Sequence, residues 1–593
     1  MIRRQLTGVI AAASITVTRG ALAVSNCGTD CYQADSCQGA EVQAAVTAAV
    51  AASGGRVKIP DPSGASCDWS QPIQVDASKV PLEISGQSAD TTHIRASAGA
   101  FAVKGAPGVQ ISLSDLKLSD ATCTGNCDSL ISVAGADSFR FHHLRFDTTG
   151  VFTRLFRSYG KTFGLIDHVV ARGSTPSEFL TADDENFAAW KRPLALGSAE
   201  AVYVEDCDVA FTDQWEGRPF DGENGGRMVV RHNKVKNQML GSHGLDSGFG
   251  ASIFSVVAYA NAFVLDDDTP AWSSKTWGRL THFRGGTGLM YDNTWTVGPD
   301  IWIGASMDLA IYRQPGDAGG NEHWQACNGT KYRMCSNIGK DWSLTQGNYP
   351  FNCATDQDCV DKIGAGTTCK WKFCSKSKLE LCTADGDCPS GETCTAYMDG
   401  SGADGYPCYM QIGFATQMER APWYEWGNTW TGGEGGSACA SPPCDADFGE
   451  DAPQLEAGRD YYDDVPQGTA LPSSCKAFDA YFDTSKKTLY RCDAAGSWQS
   501  FYVEYPYPHP LQGGGAAGAG GSGGSGAAGG GAGTGTGGSN AGAGGTNPSG
   551  DSGGDDSGCG CASPRTKPSA HWLLLTALVF FSVRRLRAGL PGA

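Results

Sequence analysis

Ionisable and phenolic side chains recur at two adjacent positions of a short pattern that repeats through the middle of this chain. The two residues before the sixth position of each copy are His142 and His143, Ile166 and Asp167, Glu205 and Asp206, Arg231 and His232, and Tyr259 and Ala260. If the copies stack as strands about 4.8 Å apart, these residues form one exposed column. Such a column offers bases, cations and metal ligands along an extended substrate.

One chemistry that suits the column is β-elimination on a uronate chain, which requires a base for the proton beside the carboxylate and a cation that neutralises the carboxylate. The predicted catalytic residues are Arg231, His232, His243, Asp246 and Glu205. The predicted substrate contacts are Tyr259, Arg227 and Arg284, and Tyr259 is also a candidate base beside Arg231 and His232. Ca²⁺ is the one suggested cofactor, with Asp167 and Asp206 as its ligands.

Hydrolysis of a glycosidic bond is an alternative chemistry, because it uses two carboxylates that flank the bond. Asp246 together with Asp266, Asp267 or Asp268 supplies such a pair. A non-catalytic explanation also stays open, since Glu205 and Arg231 can form an ordinary cross-strand ion pair worth about 0–1 kcal/mol. A lyase, a hydrolase and a surface adhesin are therefore all compatible with these residues.

The repeated pattern predicts the element that positions these side chains. It reads apolar-x-apolar-x-x-[Leu/His/Cys/Asn]-x-apolar, and its sixth position falls at Leu116, Leu144, His168, Cys207, Asn233, Asn261, Asn293 and Asn428. The first spacings are 28, 24, 39, 26, 28 and 32 residues, which are lengths of one solenoid turn. Apolar residues two apart are typical of strands, and such a rung buries its apolar face only by stacking on its neighbours. The chain is therefore predicted to be an all-β parallel solenoid.

The sixth position also carries information about the core. Its change from Leu to Asn predicts an asparagine ladder, because a stacked asparagine satisfies the next buried amide, which would be costly to leave unpaired. The same alignment places His168 and Cys207 in the core. Residues 24–513 contain 21 cysteines, an odd number, so Cys207 is predicted to be a buried free thiol.

A cysteine-rich segment separates Asn293 from Asn428 by 135 residues, where one turn is expected. It contains C-x-x-D-x-D-C followed by G-x-T-C twice, which predicts a tandem disulfide module looped out of the solenoid. The candidate disulfide cysteines are Cys353, Cys359, Cys369, Cys374, Cys382, Cys388, Cys394 and Cys408. The lack of C-x-x-C pairs in this segment argues against zinc.

The two ends of the chain predict export and attachment. Residues 1–23 have a basic start, an apolar stretch and a small-residue triplet, so cleavage after Ala23 is predicted. Residues 513–558 are almost only small and polar, which predicts a flexible tether. Cys559 and Cys561 then precede a short apolar run and three arginines. That run is shorter than the ~20 residues that cross a bilayer comfortably, so a permanent transmembrane helix is not expected.

Two family resemblances accompany these motifs. The run Val42–Val50 leads through Gly54-Gly55 into a first strand that ends near Pro60, and together with the rungs it resembles the pectin-lyase-like, right-handed parallel β-helix proteins. The resemblance implies that fold with a capping helix, whereas the activities of the superfamily range from lyases to adhesins. The tail from Cys559 resembles the C-terminal sorting signal of myxobacterial surface proteins, which implies processing by a membrane protease near Cys559 and Cys561.

These features divide the chain into six parts: signal peptide 1–23, first β-helix part 24–320, disulfide-rich insertion 321–410, last coils and C-terminal segment 411–512, linker 513–558 and sorting signal 559–593. The net charge of −18 argues against nucleic acid and anionic lipid as partners. The expected protein is an exported monomer of the cell envelope, anchored through its C-terminus or released by processing. Its expected partners are an acidic polysaccharide and a sorting protease.

Overall fold

The computed structural model describes residues 24–513 except 63–65, 123–126, 175–177, 213–219, 245–250, 267–280, 304–307, 310–333, 338–354, 363, 371, 378, 380, 383, 398–409 and 436–454. The predicted processing residues Ala23, Cys559 and Cys561 lie outside the described residues, as do Asp246, Cys353 and Cys408. Among the described helices, none combines the length and hydropathy needed to cross a bilayer.

Short strands make up most of the described chain. The helices are α1 Gly39–Ala51, α2 Phe187–Trp190 and α3 Asp356–Lys362. The strands as far as the third helix are β1 Val24–Gly28, β2 Cys31–Ala34, β3 Gly55–Lys58, β4 Cys67–Trp69, β5 Ile73–Asp76, β6 Leu82–Ser85, β7 His93–Ala96, β8 Phe101–Lys104, β9 Ile111–Asp120, β10 Ser129–Ala134, β11 Phe139–Thr149, β12 Arg154–Tyr159, β13 Gly164–Asp167, β14 Val170–Ser174, β15 Glu178–Ala182, β16 Val202–Glu205, β17 Asp208–Phe211, β18 Phe220–Gly222, β19 Arg227–Arg231, β20 Lys234–Lys236, β21 Leu240–Gly241, β22 Ser255–Tyr259, β23 Ala262–Leu265, β24 Thr281–His282, β25 Thr287–Tyr291, β26 Thr294–Ile303 and β27 Met334–Asn337. The remaining strands are β28 Thr367–Lys370, β29 Lys372–Cys374, β30 Leu381–Cys382, β31 Cys394–Tyr397, β32 Trp423–Trp426, β33 Thr429–Gly435, β34 Tyr461–Tyr462, β35 Gln467–Gly468, β36 Ala480–Asp483, β37 Thr488–Cys492 and β38 Trp498–Val503.

The fold is a parallel β-solenoid of about eight turns, as predicted. Each full rung contributes one strand to each of three parallel sheets. Sheet A stacks β2, β3, β6, β9, β11, β13, β16, β19, β22, β25, β32 and β34. Sheet B stacks β4, β7, β9, β11, β14, β17, β20, β23, β26 and β33. Sheet C stacks β5, β8, β10, β12, β15, β18, β21 and β24.

The asparagine ladder is confirmed, and it lies at the turn between sheets A and B. The Nδ2 atoms of Asn233, Asn261 and Asn293 each donate to Oδ1 of the next asparagine, over 3.0, 2.9 and 2.9 Å. The last contact joins Asn293 to Asn428, so the 135-residue separation contributes no rung between them. Cys207, one rung before Asn233, is a buried free thiol, as predicted.

The placement of His168 in the core was wrong. Sheet A pairs Phe141 with Ile166 and sheet B pairs Arg145 with Val170, which puts the fully buried Val169 in the ladder position. His168 has φ of 52° and occupies the turn, where its side chain is 43% exposed. The rung is one residue longer than the sequence pattern suggested. The pattern missed the extra residue because the ladder residue Val169 is an ordinary aliphatic, which the pattern did not single out.

A short helix covers the first rungs. Helix α1 buries Val42, Ala45, Val46 and Ala49 against the core. Gly54 then has φ of 107°, and a Cβ there would stand 2.4 Å from the carbonyl oxygen of Pro81, so only glycine fits. The Gly-Gly stop therefore turns the chain from the helix directly into β3.

Disulfides rather than metal ligation explain the cysteine-rich module. Cys374 bonds Cys388, Cys382 bonds Cys394, and Cys359 and Cys369 are also disulfide-bonded. The two copies of D-x-D have matching structural roles. Asp356 accepts the backbone N–H of Cys369 and Asp385 accepts that of Cys394, both over 2.8 Å. Outside the module, Cys27 bonds Cys31, Cys37 bonds Cys67 and Cys475 bonds Cys492, a density typical of oxidising compartments.

A buried carboxyl group, that of Glu425, contacts the last asparagine of the ladder. Asn428 Nδ2 donates to Glu425 Oε1 over 2.9 Å, and burial raises the pKa of Glu425 to about 8. The folded protein therefore keeps this proton between pH 4.5 and 8, where the unfolded chain loses it, so stability falls as pH rises through that range.

Replacement of Glu425 tests this linkage. We expect Glu425→Gln to remove part of the pH dependence and to stabilise the protein at alkaline pH, because each tenfold change in proton affinity on folding corresponds to about 1.4 kcal/mol. Denaturant unfolding of both proteins at acidic and alkaline pH measures the effect. Equal slopes of stability against pH in the two proteins would contradict it.

Candidate functional site

The members of the predicted column that end the sheet A strands β13, β16, β19 and β22 are covered, not exposed. Asp167, Glu205 and Arg231 have no solvent-accessible side-chain surface, and Tyr259 is 3% exposed. Two later parts of the chain cover them. The sheet formed by β35 to β38 packs apolar side chains on this face, and residues 505–513, here called the strap, lie across the charged groups.

The strap is held by hydrogen bonds that saturate the buried ion pair. Arg231 contacts Glu205 at 2.6 Å and donates to the carbonyl oxygens of Tyr505 and Pro506 over 2.7 and 2.8 Å. Glu205 Oε1 accepts the backbone N–H of His509 over 2.8 Å and Gln512 Nε2 over 2.6 Å. Burial raises the pKa of Glu205, an effect that Arg231 opposes. This arrangement binds a peptide segment and leaves the ion pair no access to solvent.

The other predicted residues on this face are also engaged. Both oxygens of Asp167 accept from Arg140, over 2.9 and 2.8 Å. Asp206 accepts the Tyr507 hydroxyl over 2.7 Å, and His232 stacks on the Tyr507 ring at 3.7 Å. Because both oxygens of Asp167 are occupied, Ca²⁺ would bind there only if Arg140 moved. Ligation of Ca²⁺ by Asp167 and Asp206 stays a prediction.

Three further predicted residues lie elsewhere in the fold. Arg227 stacks over Phe254 at 4.5 Å and donates to the carbonyl oxygen of Pro193. Arg284 is buried and donates to the carbonyl oxygen of Ser242. Asp266 pairs with Lys236, whereas its suggested partners Asp246, Asp267 and Asp268 lie outside the described residues.

His243 is brought into a second ionisable cluster, on the outer face of sheet C. The backbone N–H groups of Asp183, Glu223 and His243 each donate to the rung before them, which places the three side chains on consecutive rungs. Register places Arg157, Thr181 and Asp221 in the adjacent column. The sheet C network is defined here as Asp128, Arg154, Arg157, Tyr159, Glu178, Asp183, Asp221, Glu223 and His243.

Arginines join the carboxylates of this network. Arg157 contacts Asp128 at 2.9 Å, Asp183 at 3.0 Å and Glu223 at 3.4 Å. Arg154 bridges Asp128 and Glu178. At the other end, His243 Nδ1 lies 2.6 Å from Asp221 and 3.7 Å from Glu223. The network is therefore continuous over five rungs.

Its carboxyl groups differ in their tendency to ionise. Burial raises the pKa of Glu178 to about 7 and raises the pKa of Glu223 well above its usual range. Burial acts in the same direction on Asp128, but Arg157 and Arg154 outweigh it and leave that pKa lowered. Among the described residues, one oxygen of Asp183 and one of Glu223 have no hydrogen-bond partner. A carboxyl group with a raised pKa and one with a lowered pKa thus contact the same arginine, and active sites use such differences between neighbouring carboxyl groups.

Sequence reasoning found only His243 in this network. The acidic members lie in segments that the ladder pattern does not align, since 40 residues separate Thr181 from Asp221. A signal was present in Asp183-Asp184, Asp221-Gly-Glu223 and Ser242-His243-Gly244, each of which groups polar or ionisable residues in a short stretch.

Comparisons with protein-family models, with curated proteins and with solved structures found no match. The fold and the geometry define the class of the protein as a disulfide-containing parallel β-solenoid with an ionisable network on one sheet.

Proposed function

We propose that this protein is an exported glycoside hydrolase that binds a polysaccharide along sheet C and cleaves it at the sheet C network. The observation that carries the proposal is the juxtaposition of Glu223, whose pKa is raised, with the close contact between Asp221 and His243 Nδ1. Hydrolysis of a glycosidic bond requires one carboxylic acid that donates a proton and a second group that is ionised.

The roles follow from these contacts. Glu223 keeps its proton at neutral pH and donates it to the leaving glycosidic oxygen. Asp221 supports the attack of water at the anomeric carbon, and His243 holds its carboxylate through the 2.6 Å contact. Arg157 positions Glu223 and Asp183 by contacting both.

The charge of the network bears on the substrate. Six carboxyl groups, counting Asp184 beside Asp183, face the three arginines Arg154, Arg157 and Arg192. These arginines are already paired with carboxyl groups of the same face, so none is left to bind the carboxylates of a polyuronate, and an uncharged or amino-sugar chain fits this face better than the acidic polysaccharide expected from sequence. The lyase function is supported less, because the base candidate Arg231 is a cation whose donors are already engaged by Glu205, Tyr259 and the strap carbonyl oxygens.

Export and attachment form part of the same proposal. The disulfides support an oxidising location. The N-terminal apolar segment and the tail after the tether supply a route out of the cell and a means of retention at the envelope.

A substrate screen tests the function. The purified protein is incubated with neutral, amino-sugar and uronate polysaccharides, and both reducing ends and unsaturated products are measured. We expect new reducing ends without unsaturated products. Unsaturated products would establish β-elimination instead, and binding without turnover across the panel would favour the adhesin.

A further inference from the structure

Three imidazoles meet at the turns between sheets A and B, on two consecutive rungs. His142 and His143 belong to one rung, and their Nδ1 atoms are 2.8 Å apart. His168 lies on the next rung, and its ring stacks on that of His143 with centroids 5.0 Å apart and planes at 9°. These residues, here called the histidine turn, are neither part of the sheet C network nor covered by the strap contacts described above.

A neighbouring side chain contacts one ring nitrogen in two of these imidazoles. His168 Nδ1 lies 2.8 Å from Asp167 Oδ2, and Asp167 is itself buried and held by Arg140. His142 Nε2 lies 3.2 Å from the Ser112 hydroxyl. A histidine that ligates a metal usually donates its other N–H to a carboxylate or a similar acceptor, which fixes the tautomer and raises ligand basicity. The contact with Asp167 leaves His168 Nε2 as the available lone pair.

We propose that the histidine turn binds a divalent transition metal such as Zn²⁺. Imidazole nitrogens bind zinc at about 2.0–2.1 Å, so two of them on one tetrahedral ion lie about 3.3 Å apart. The Nδ1 atoms of His142 and His143 need to separate by only a few tenths of an ångström. His168 must rotate edge-on toward the same ion, and because His143 and His168 are exposed turn residues this rotation displaces no core side chain.

The fold supplies the required backbone geometry. His143 and His168 have φ of 50° and 52°, the left-handed turn conformation that the rungs from Asp115 to Asp292 share at this position. Equivalent turn residues therefore lie one strand spacing apart, about 4.8 Å, which lets side chains from two rungs reach one ion. Asp115 and Asp206 occupy the same turn position one rung before and one rung after the pair, and their negative charge favours a cation between them.

Titration of the full chain with Zn²⁺, without an affinity tag that contains histidine, tests the proposal. We expect one ion per chain by calorimetry, with affinity reduced at least about tenfold in His143→Ala and in His168→Ala, since loss of even an outer partner costs 10–100-fold. His232→Ala is the matched control, because His232 occupies the same turn position but stacks on Tyr507.

Cu²⁺ provides a second readout, because nitrogen couplings in its electron paramagnetic resonance spectrum count the bound imidazoles. We expect at least two nitrogens in the wild-type protein and fewer in either variant. Absence of Zn²⁺ binding to the wild-type protein would overturn the proposal. Equal binding by both variants would also overturn it and would assign the ion elsewhere, whatever the outcome for hydrolysis at sheet C.

Discussion

Glu223→Gln is expected to lower kcat for polysaccharide hydrolysis by about 10²–10⁴-fold while the protein stays folded. The amide keeps the shape of the side chain but cannot donate a proton to the leaving oxygen. Because Glu223 is fully buried with a raised pKa, its replacement by a neutral group should not reduce stability. Turnover on the substrate found by screening and denaturant unfolding measure the two effects separately.

Glu425→Gln is the matched control for this variant. Glu425 is also fully buried with a raised pKa, but it lies beside the asparagine ladder and not in the sheet C network. We expect it to retain wild-type turnover. A second check is the pH profile: kcat/KM should fall as pH rises and Glu223 loses its proton, and this limb should disappear in Glu223→Gln. A folded Glu223→Gln variant with full activity would remove Glu223 from the mechanism.

The second large effect concerns stability. Arg231→Ala is expected to destabilise the protein by about 3–5 kcal/mol, because it leaves Glu205 buried without its counter-charge. It also removes the donor to the carbonyl oxygens of Tyr505 and Pro506, so the strap should detach first. Limited proteolysis of residues 505–513, followed by mass spectrometry, reports strap release before global unfolding.

A double variant separates charge burial from the loss of contacts. Arg231→Met with Glu205→Gln removes both charges and should recover much of the stability lost in Arg231→Ala, since a buried pair is often replaceable by neutral groups. Both variants should hydrolyse substrate normally when folded, because neither changes the sheet C network. Loss of turnover in a stable double variant would instead support the sheet A column as the active site.

The solenoid was predictable because its determinants are local. Apolar residues two apart and a ladder residue recur within each rung, so Asn233, Asn261 and Asn293 aligned correctly with only the printed sequence. The same logic failed at His168, where the rung is one residue longer and Val169 takes the ladder position. An aliphatic residue in the ladder position gives no signal that distinguishes it from other core residues.

The candidate site was harder to predict because its contacts are distant in sequence. Burial of Arg231 depends on carbonyl groups 274 and 275 residues later, and an alternating strand pattern cannot reveal which outward face another segment covers. Likewise, the sheet C network forms only when segments of unequal length bring Arg157, Asp221 and His243 into register. Residue types were informative there, whereas their spacing was not.

The direct stacking of Asn293 on Asn428 has a consequence for the order of assembly. Earlier ladder contacts close over about 26–32 residues, as between Asn233 and Asn261, whereas this one closes over 135. Closure entropy grows with the logarithm of loop length, so this contact costs about 1.4 kcal/mol more than a 28-residue turn. The first rungs can therefore form a template from their own short-range contacts. The rung of Asn428 docks on that template only after the long loop between Asn293 and Asn428 has closed.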